Sequence, residues 1–483
     1  LHLCDRRQRQ MCIRDRYKIA QSAARVAMMV RNVSVTYKNT YAMSISGFRP
    51  EIGDMLGQTK GASGFAPGLD FAFGMTGDSY INKALDNGWL VSDSVVSPAT
   101  TNAQEDLQIR MTLEPVRDLK IDLNAGRTRN KSNQIQFMYE GMPQIQSGNF
   151  NMTVITIGSA FERRSASNGY SSSSFNRFLG NLDIIKNRIE NMYAGVPYQG
   201  QSGLNQQPLY QVNKYSSDVM IPAFLAAYTG RSASNSALDL FPGILSMMPN
   251  WRVTYSGLSK LEFFKKYFKS VTLNHAYRST YSVGSYSTFQ NFHSYMGDWG
   301  FVDDIQTGIP VPSSMYDVSA VSINEQFSPL LGVDVTFKNG ITTKVEYKTT
   351  RILNLSLAAN QIVESSTKDF VLGMGYKIMG LELFPGRNKK DSKNKISNDL
   401  ALRMDVSFRN QSALARDIQQ VTTQATSGNK ALKISFSADY TLSRLLSVSF
   451  YYDRQKNTPL VSASSYPVTS ADFGMRLKFS LTR

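Results

Sequence analysis

Apolar and polar residues alternate along most of this chain with a period of two. The clearest run lies near the C-terminus, where Phe473, Met475, Leu477, Phe479 and Leu481 are apolar. Asp472, Gly474, Arg476, Lys478, Ser480 and Thr482 interleave with them. Such a pattern puts the first set on one face of a β-strand and the second on the other. Strands of soluble domains run to about 5–6 residues, whereas these runs often reach about 9–12, the length a strand needs to cross a bilayer. The expectation is an outer-membrane β-barrel wall. Phe473, Met475, Leu477, Phe479 and Leu481 would face lipid, and Arg476, Lys478 and Ser480 a wet lumen.

The same parity marks earlier strands. Val33–Tyr37 leads into Tyr41–Ile45, and Leu69–Met75, Leu107–Leu113, Leu119–Ala125, Ile135–Tyr139 and Phe150–Phe161 follow. Trp251–Tyr255 and Val271–Tyr286 come next. The last third holds Val318–Gln326, Val333–Phe337, Ile341–Leu357, Phe370–Gly380, Leu400–Phe408, Leu432–Leu442, Leu446–Tyr452 and Phe473–Leu481. Turn parity constrains the hairpins. The apolar residues on both sides of Lys338-Asn339-Gly340 are odd-numbered. A three-residue loop keeps them on one face, which predicts a type I turn with Gly340 left-handed in a G1 bulge. Ser443–Leu445 reads as a second three-residue loop, and Glu114–Asp118 as a five-residue loop pairing Leu113 with Leu119. These tight turns would lie on the periplasmic side and the polar segment Arg409–Asn429 outside. Phe384–Asn398, long and basic, breaks that rule.

Three segments depart from the β pattern. Asp78–Leu90 and Val219–Tyr228 read as short helices. In Phe175–Tyr193, the residues Phe175, Phe178, Leu182, Ile185, Ile189 and Met192 recur at steps of three and four and form one apolar stripe. Ser174 can cap this helix and Gly195 follows it. It is expected on the rim or lumen wall, as a packing element, a gate or a partner dock.

The fold class expected is therefore all-β: an antiparallel transmembrane β-barrel segment of about 14–16 strands with a few short helical insertions. As a fragment it would be an open curved sheet with free edges at its first and last strands. Composition agrees. Of 483 residues, 19% are charged and 42% hydrophobic, and no run approaches the ~18 apolar residues of a membrane-crossing helix. A mean hydropathy of −0.27 is compatible with a barrel, whose strands hide their apolar half by alternating. The net charge is +16, but the cations are scattered along strands and turns. That pattern argues against nucleic-acid binding and for contact with anionic headgroups or acidic cargo. The densest basic run is Arg387–Lys395.

Little in the chain suggests chemistry. Both cysteines, Cys4 and Cys12, lie in the first sixteen residues, and His2, His275 and His293 are dispersed. No metal or disulfide framework is expected. Walker, Rossmann, zinc and nucleophile-elbow motifs are absent, Gly373-Met374-Gly375 reads as strand packing, and Asp303-Asp304 has no matching base. No enzyme activity and no cofactor are expected. Residues 1–16 carry five arginines and two aspartates without strand or helix pattern or an apolar leader. They read as a non-native tail, leaving 17–483 as the C-terminal part of a larger protein.

Several longer blocks carry a resemblance: VRNVSVTYKNT at Val30–Thr40, PGLDFAFG at Pro67–Gly74 and DVMIPAFLAAYTG at Asp218–Gly230, with PNWRVTYSGL at Pro249–Leu258 and FKSVTLNHAYRSTYSVGSY at Phe268–Tyr286. From about Tyr17 to Arg483 the chain resembles the C-terminal part of the SprA (Sov) family, the outer-membrane translocon of type IX secretion and gliding motility. The resemblance implies a very large single-chain barrel with a lateral opening, exporting folded cargo across the cell outer membrane. It also implies a PorV-like shuttle barrel and a separate periplasmic plug as partners. The chain ends in Arg483 rather than the aromatic residue common in such barrels. The alternatives are a smaller porin or gated transporter, and a surface β-sandwich adhesin.

Overall fold

A computed structural model describes residues 29–480 apart from 52, 62–63, 78, 92–95, 139–143, 163–164, 197–210, 305–307, 382–398, 443–445 and 462–465. The expected tail, Leu481, the basic run Arg387–Lys395 and the loop Ser443–Leu445 lie outside these residues.

The strands are β1 (Val30–Ser44), β2 (Thr59–Gly61), β3 (Gly64–Ala66), β4 (Ala99–Val116), β5 (Leu119–Ile135), β6 (Ile145–Thr153) and β7 (Asn250–Tyr255). They continue as β8 (Phe268–Thr288), β9 (Phe292–Met296), β10 (Trp299–Asp303), β11 (Pro310–Ser314), β12 (Tyr316–Val318) and β13 (Ala320–Phe337). The last six are β14 (Ile341–Ser356), β15 (Gln361–Ile378), β16 (Leu400–Asp417), β17 (Thr423–Thr441), β18 (Leu446–Pro459) and β19 (Val468–Phe479). The helices of four or more residues in regular α form are α1 (Leu69–Ala72), α2 (Ser79–Asp86), α3 (Ser173–Met192), α4 (Ser217–Thr229) and α5 (Glu262–Tyr267).

One 14-stranded antiparallel sheet dominates, ordered β1-β4-β5-β6-β8-β13-β14-β15-β16-β17-β18-β19, with β7 bridging β5 and β8 and β12 beside β8. Among the described residues β1 pairs only with β4 and β19 only with β18, so both outer edges are open. The fold is thus the antiparallel all-β class expected, with helical insertions. No helix among the described residues is long and apolar enough to cross a membrane.

Continuous registers make each row of side chains run across many strands. Thr343, Met374, Met404, Phe436, Tyr452 and Phe473 lie opposite one another in turn from β14 to β19. One residue away, Lys344, Gly373, Asp405, Ser435, Asp453 and Asp472 form a row on the other face. The sheet therefore has one apolar and one polar face through its whole width, because a one-residue slip anywhere would exchange them.

Several details differ from the sequence reading. Leu69–Ala72 is helical rather than extended: Phe71 stacks on Tyr80 of α2 with ring centroids 5.4 Å apart, and Gly68 (φ 95°) redirects the chain into the turn. Arg409–Asn429 is not a loop. β16 and β17 extend through it to a short turn, where the Asp417 side chain accepts from the N–H groups of Gln419 and Gln420. Polar residues there still complete the β16–β17 ladder, because each backbone N–H and C=O pairs across strands whatever the side chain. The β4–β5 connection is a two-residue turn, Arg117-Asp118, and Leu113 pairs with Ile121 rather than Leu119. A bulge between Leu113 and Val116 absorbs the extra residues while keeping the same face apolar.

At the β13–β14 turn, Gly340 has φ 88° and its N–H donates to Phe337 O at 3.1 Å. Asn339 is not among the residues with positive φ, and its side chain accepts from the Ile341 N–H at 3.2 Å. Thr336 pairs with Thr342. A type I turn with a left-handed glycine at its fourth position describes this loop.

Candidate functional site

The candidate site is the wall itself, with its two faces and the layer packed on one of them. The apolar face carries a belt. In β15 it comprises Phe370, Leu372, Met374, Tyr376 and Ile378, in β16 Leu400–Phe408 and in β17 Leu432–Tyr440, taking alternate residues. Phe450 and Tyr452 continue it in β18, and Phe473, Met475, Leu477 and Phe479 in β19. The same band passes through Leu107–Leu113 of β4, Leu119–Leu123 of β5 and Val33–Tyr37 of β1. Eight residue steps, as from Phe370 to Ile378, span about 27 Å along a strand. Large residues stand open to the surroundings here: Phe473 is 84% exposed and Leu477 61%. At the tight-turn end the band closes on an aromatic cluster. Phe264 and Phe268 lie 5.8 Å apart, and Phe268 and Phe337 4.9 Å.

On the polar face, opposite charges meet across and along strands. Arg409 donates to Asp369 at 2.8 Å. Glu346 takes Lys344 at 2.9 Å and Lys348 at 2.8 Å, and Lys377 reaches Asp399 at 2.7 Å. The cations of these pairs are open to solvent while their acids are largely covered, so the pairing keeps the face wet and locally neutral. Gly373 and Gly375 fit this face. A Cβ on Gly373 would come within 2.8 Å of the Asp405 carboxylate, and one on Gly375 within 2.7 Å of the Thr342 hydroxyl. A cavity of about 480 Å³ opens on the same face beside Asp122, Asn124, Arg252, Arg278 and Gln326. Arg476 stands on it above the Tyr451 ring at 5.4 Å. Lys478 and Ser447 are paired in register beside it, and Ser480 ends the described chain.

The helical layer sits beyond the belt at the end away from the tight turns. In α3, Phe175, Phe178, Leu182, Ile185 and Ile189 are buried, and Met192 packs against the same cluster. Their partners are Val219, Phe224 and Tyr228 of α4, and Tyr281, Val283, Val321, Ile323, Leu353, Leu355 and Ile362 of the sheet. These strand residues share parity with the belt: Leu355 and Leu353 alternate with Tyr347 and Val345 in β14, and Ile362 with Phe370 in β15. The stripe therefore packs on the apolar face and away from the polar one. Parity along a strand decides this, and the helix's own sequence does not carry it. The N-cap is Ser172, which accepts from Phe175 N–H at 3.1 Å; Ser174 instead gives its N–H to Glu162 at 2.9 Å. The Glu162 carboxylate also receives the Ser172 and Ser173 hydroxyls. Burial pushes its pKa up, but the hydroxyl and N–H donors at this helix start outweigh it and hold the group at about 2.

Two buried ion pairs tie layer to sheet, and sequence reading missed both. Arg351 donates to Glu325 at 2.8 Å and to Ser159 O at 2.6 Å. Glu325 also accepts from Tyr277 and Thr156. Arg416 meets Glu364 at 3.2 Å and donates to Tyr170 O at 2.8 Å. The readable signal was a charge at apolar parity: Glu325 continues Val321 and Ile323, and Arg351 precedes Leu353 and Leu355. A cavity of about 260 Å³ marks the seam between belt and layer, lined by Phe161, Tyr347, Arg351, Lys368 and Leu414 among others. Deeper in the layer, burial raises the Asp218 pKa against the hydroxyls and N–H of Ser313 and Ser314, which hydrogen-bond its carboxyl. No group of three or more metal-binding side chains occurs among the described residues.

No family model matches this chain, and no curated protein does. Among solved structures it is similar to in-vitro folded OmpT, an outer membrane protein of Vibrio cholerae in its trimer form. The identity is 8%, covering 93% of this chain and 99% of that one, with a TM-score of 0.21. A loop-deletion mutant of the same protein gives 8% identity, coverage of 93% and 98%, and a TM-score of 0.20. An anion-selective porin from Comamonas acidovorans gives 8%, with 92% and 99% covered and a TM-score of 0.12. Similarity at this level carries no functional information.

Proposed function

We propose that this chain is part of the wall of a large outer-membrane β-barrel, and that the barrel conducts folded protein, as the family resemblance implies for type IX secretion and gliding motility. The observation that carries the first part is the belt: bare aromatic and aliphatic rows on one face, backed by rows of mixed charge on the other, through a continuous antiparallel ladder. Water would strip such a belt onto another surface, whereas a bilayer accepts it. The open edges of β1 and β19 support closure by further strands, since unpaired edge groups are costly in hydrocarbon.

The mechanism is physical rather than covalent. The belt matches the hydrocarbon, and the hydrated, locally neutral face lets a folded protein slide past without binding tightly or wetting the bilayer core. A PorV-like shuttle barrel and a periplasmic plug would act as partners at the opening and at the closed end. The test is site-specific photocrosslinking in the full protein during secretion. Probes at Ser435 and Ser437 should capture cargo, and probes at Ile434 and Phe436 should capture lipid. Capture of lipid at both sets, or of neither at the belt, would overturn the two-faced wall. Correct lipid capture with small solutes but no cargo crossing would point to a porin instead.

A further inference from the structure

We propose that the outer end of the belt over β15–β18 is a binding rim for the phosphate groups of anionic lipid, formed by Lys368, Lys430, Arg454 and Lys456. This deepens the barrel-wall reading and rests on it. All four residues are exposed and lie at the parity of the belt: Lys368 alternates with Phe370, Lys430 with Leu432, and Arg454 and Lys456 with Tyr452. They begin where the apolar rows stop. Lys368 pairs in register with Asn410, and Asn410 with Lys430; the apolar row just below holds Phe370, Phe408 and Leu432.

Two contrasts argue that these cations await an outside partner. The first is between faces. On the polar face of β14–β16, Arg409, Lys344, Lys348 and Lys377 each meet a carboxylate within 3 Å. On the apolar face of β15–β18 the one acid among the described residues is Glu364, which is buried against Arg416. The second is lateral. At a comparable height over β5, Arg127 and Arg129 lie 5.1 Å and 4.8 Å from the Phe150 and Phe241 rings beneath the helical layer. Over β17 and β18 no helix among the described residues packs on this part of the sheet, and the cations are exposed.

Their line fits a bilayer surface. Lys430 pairs with Thr458 of β18, and Lys456 and Arg454 stand two and four residues nearer the belt centre. A drop of two to four residues over three strands corresponds to a tilt of roughly 25–43°, overlapping the ~35–45° of barrel strands. The end in question is opposite the β4–β5 and β13–β14 turns, the end that the sequence pattern assigns to the outside, and on that reading it meets the outer leaflet. There the anionic lipid is a phosphorylated glycolipid, and Asn410 and Thr458 supply neutral donors in the same row.

The test uses the full protein reconstituted in phosphatidylcholine nanodiscs containing bis-phosphorylated lipid A. The glycolipid retained per protein after washing is quantified by mass spectrometry. Each cation near an anionic surface changes affinity roughly fivefold, so the combined variant K368Q/K430Q/R454Q/K456Q should lose retention at least ~tenfold. Lys430→Arg should keep it, and the polar-face variant K433Q should leave it unchanged. Dephosphorylated lipid A should be retained no better by wild type than by the combined variant. Should the combined variant misassemble, Lys430→Gln alone should still fall several-fold. Equal retention by wild type and variants in assembled nanodiscs overturns the rim alone. Failure of wild type to enter nanodiscs overturns the wall reading beneath it.

Discussion

Beyond the belt on one face of the sheet, two regions treat charge in opposite ways. Over β8 and β13–β16 the residues beyond the belt are roofed by α3 and α4, and Glu325, Arg351, Glu364 and Arg416 are almost fully buried in pairs. Over most of β17–β19 no helix among the described residues covers the face, and Lys430, Arg454, Lys456, Phe436, Phe450 and Phe473 are exposed. The roofed region is held as the interior of a soluble protein is, by close packing and satisfied polar groups. The bare region has the same strand pairing but leaves its burial to the surroundings. One sheet thus carries a self-sufficient part and a part that needs a solvent other than water.

The comparison breaks most sharply at the buried pairs. Arg351→Ala leaves Glu325 charged and unpaired under the layer and should cost about 3–5 kcal/mol. Limited proteolysis should then release the α3–α4 segment while the β16–β19 ladder stays protected; equal protection of both regions would show that the roof does not depend on the pair. Next comes the bare belt. Leu477→Arg should cost about 2–4 kcal/mol at mid-membrane depth and reduce insertion, whereas Lys478→Glu on the other face should stay within about 0.5 kcal/mol. An insertion assay giving equal loss at both sites would erase the distinction between faces.

A smaller effect belongs to the roofed region and depends on pH. The Glu162 pKa is lowered on folding from 4.5 to about 2. Its contribution is therefore fully present above about pH 4.5 and fades as pH falls toward 2. The group is half-buried, so solvent screening brings the contribution to about 1–2 kcal/mol. The stability gap between wild type and Glu162→Gln should close across that window in acid titrations followed by unfolding. A gap that is constant with pH would remove the carboxylate from the helix start. The smallest effect is at the tight turn. Gly340→Ala must hold φ near 88° and should cost about 1 kcal/mol, with Gly340→Asn milder, as read by denaturant midpoints of the assembled protein.

Much of the sheet was legible from residues alone. Parity in Phe473–Phe479, Leu432–Tyr440 and Leu107–Leu113 marks strands because β side chains alternate strictly, and register follows once one face must be apolar. Steps of three and four from Phe175 to Met192 mark α3 for the same kind of reason. Leu69–Met75 misled, because seven alternating residues suit a strand in isolation and the contact of Phe71 with Tyr80 decides for a turn of helix. Arg409–Asn429 misled in the other direction, since its polar residues hide a ladder that exists only because each strand has its neighbour.

By itself, then, the chain determined which residues pair into one two-faced antiparallel sheet, since alternation and turn parity are local properties of consecutive residues. Tertiary structure alone decided that the α3 stripe lies on the belt face, that Arg351 and Glu325, already opposite each other in the β13–β14 ladder, are buried beneath the layer, and that Lys430 and Arg454 are exposed. Those outcomes depend on where a helix more than a hundred residues away in sequence comes to rest, and no periodicity within either segment records it.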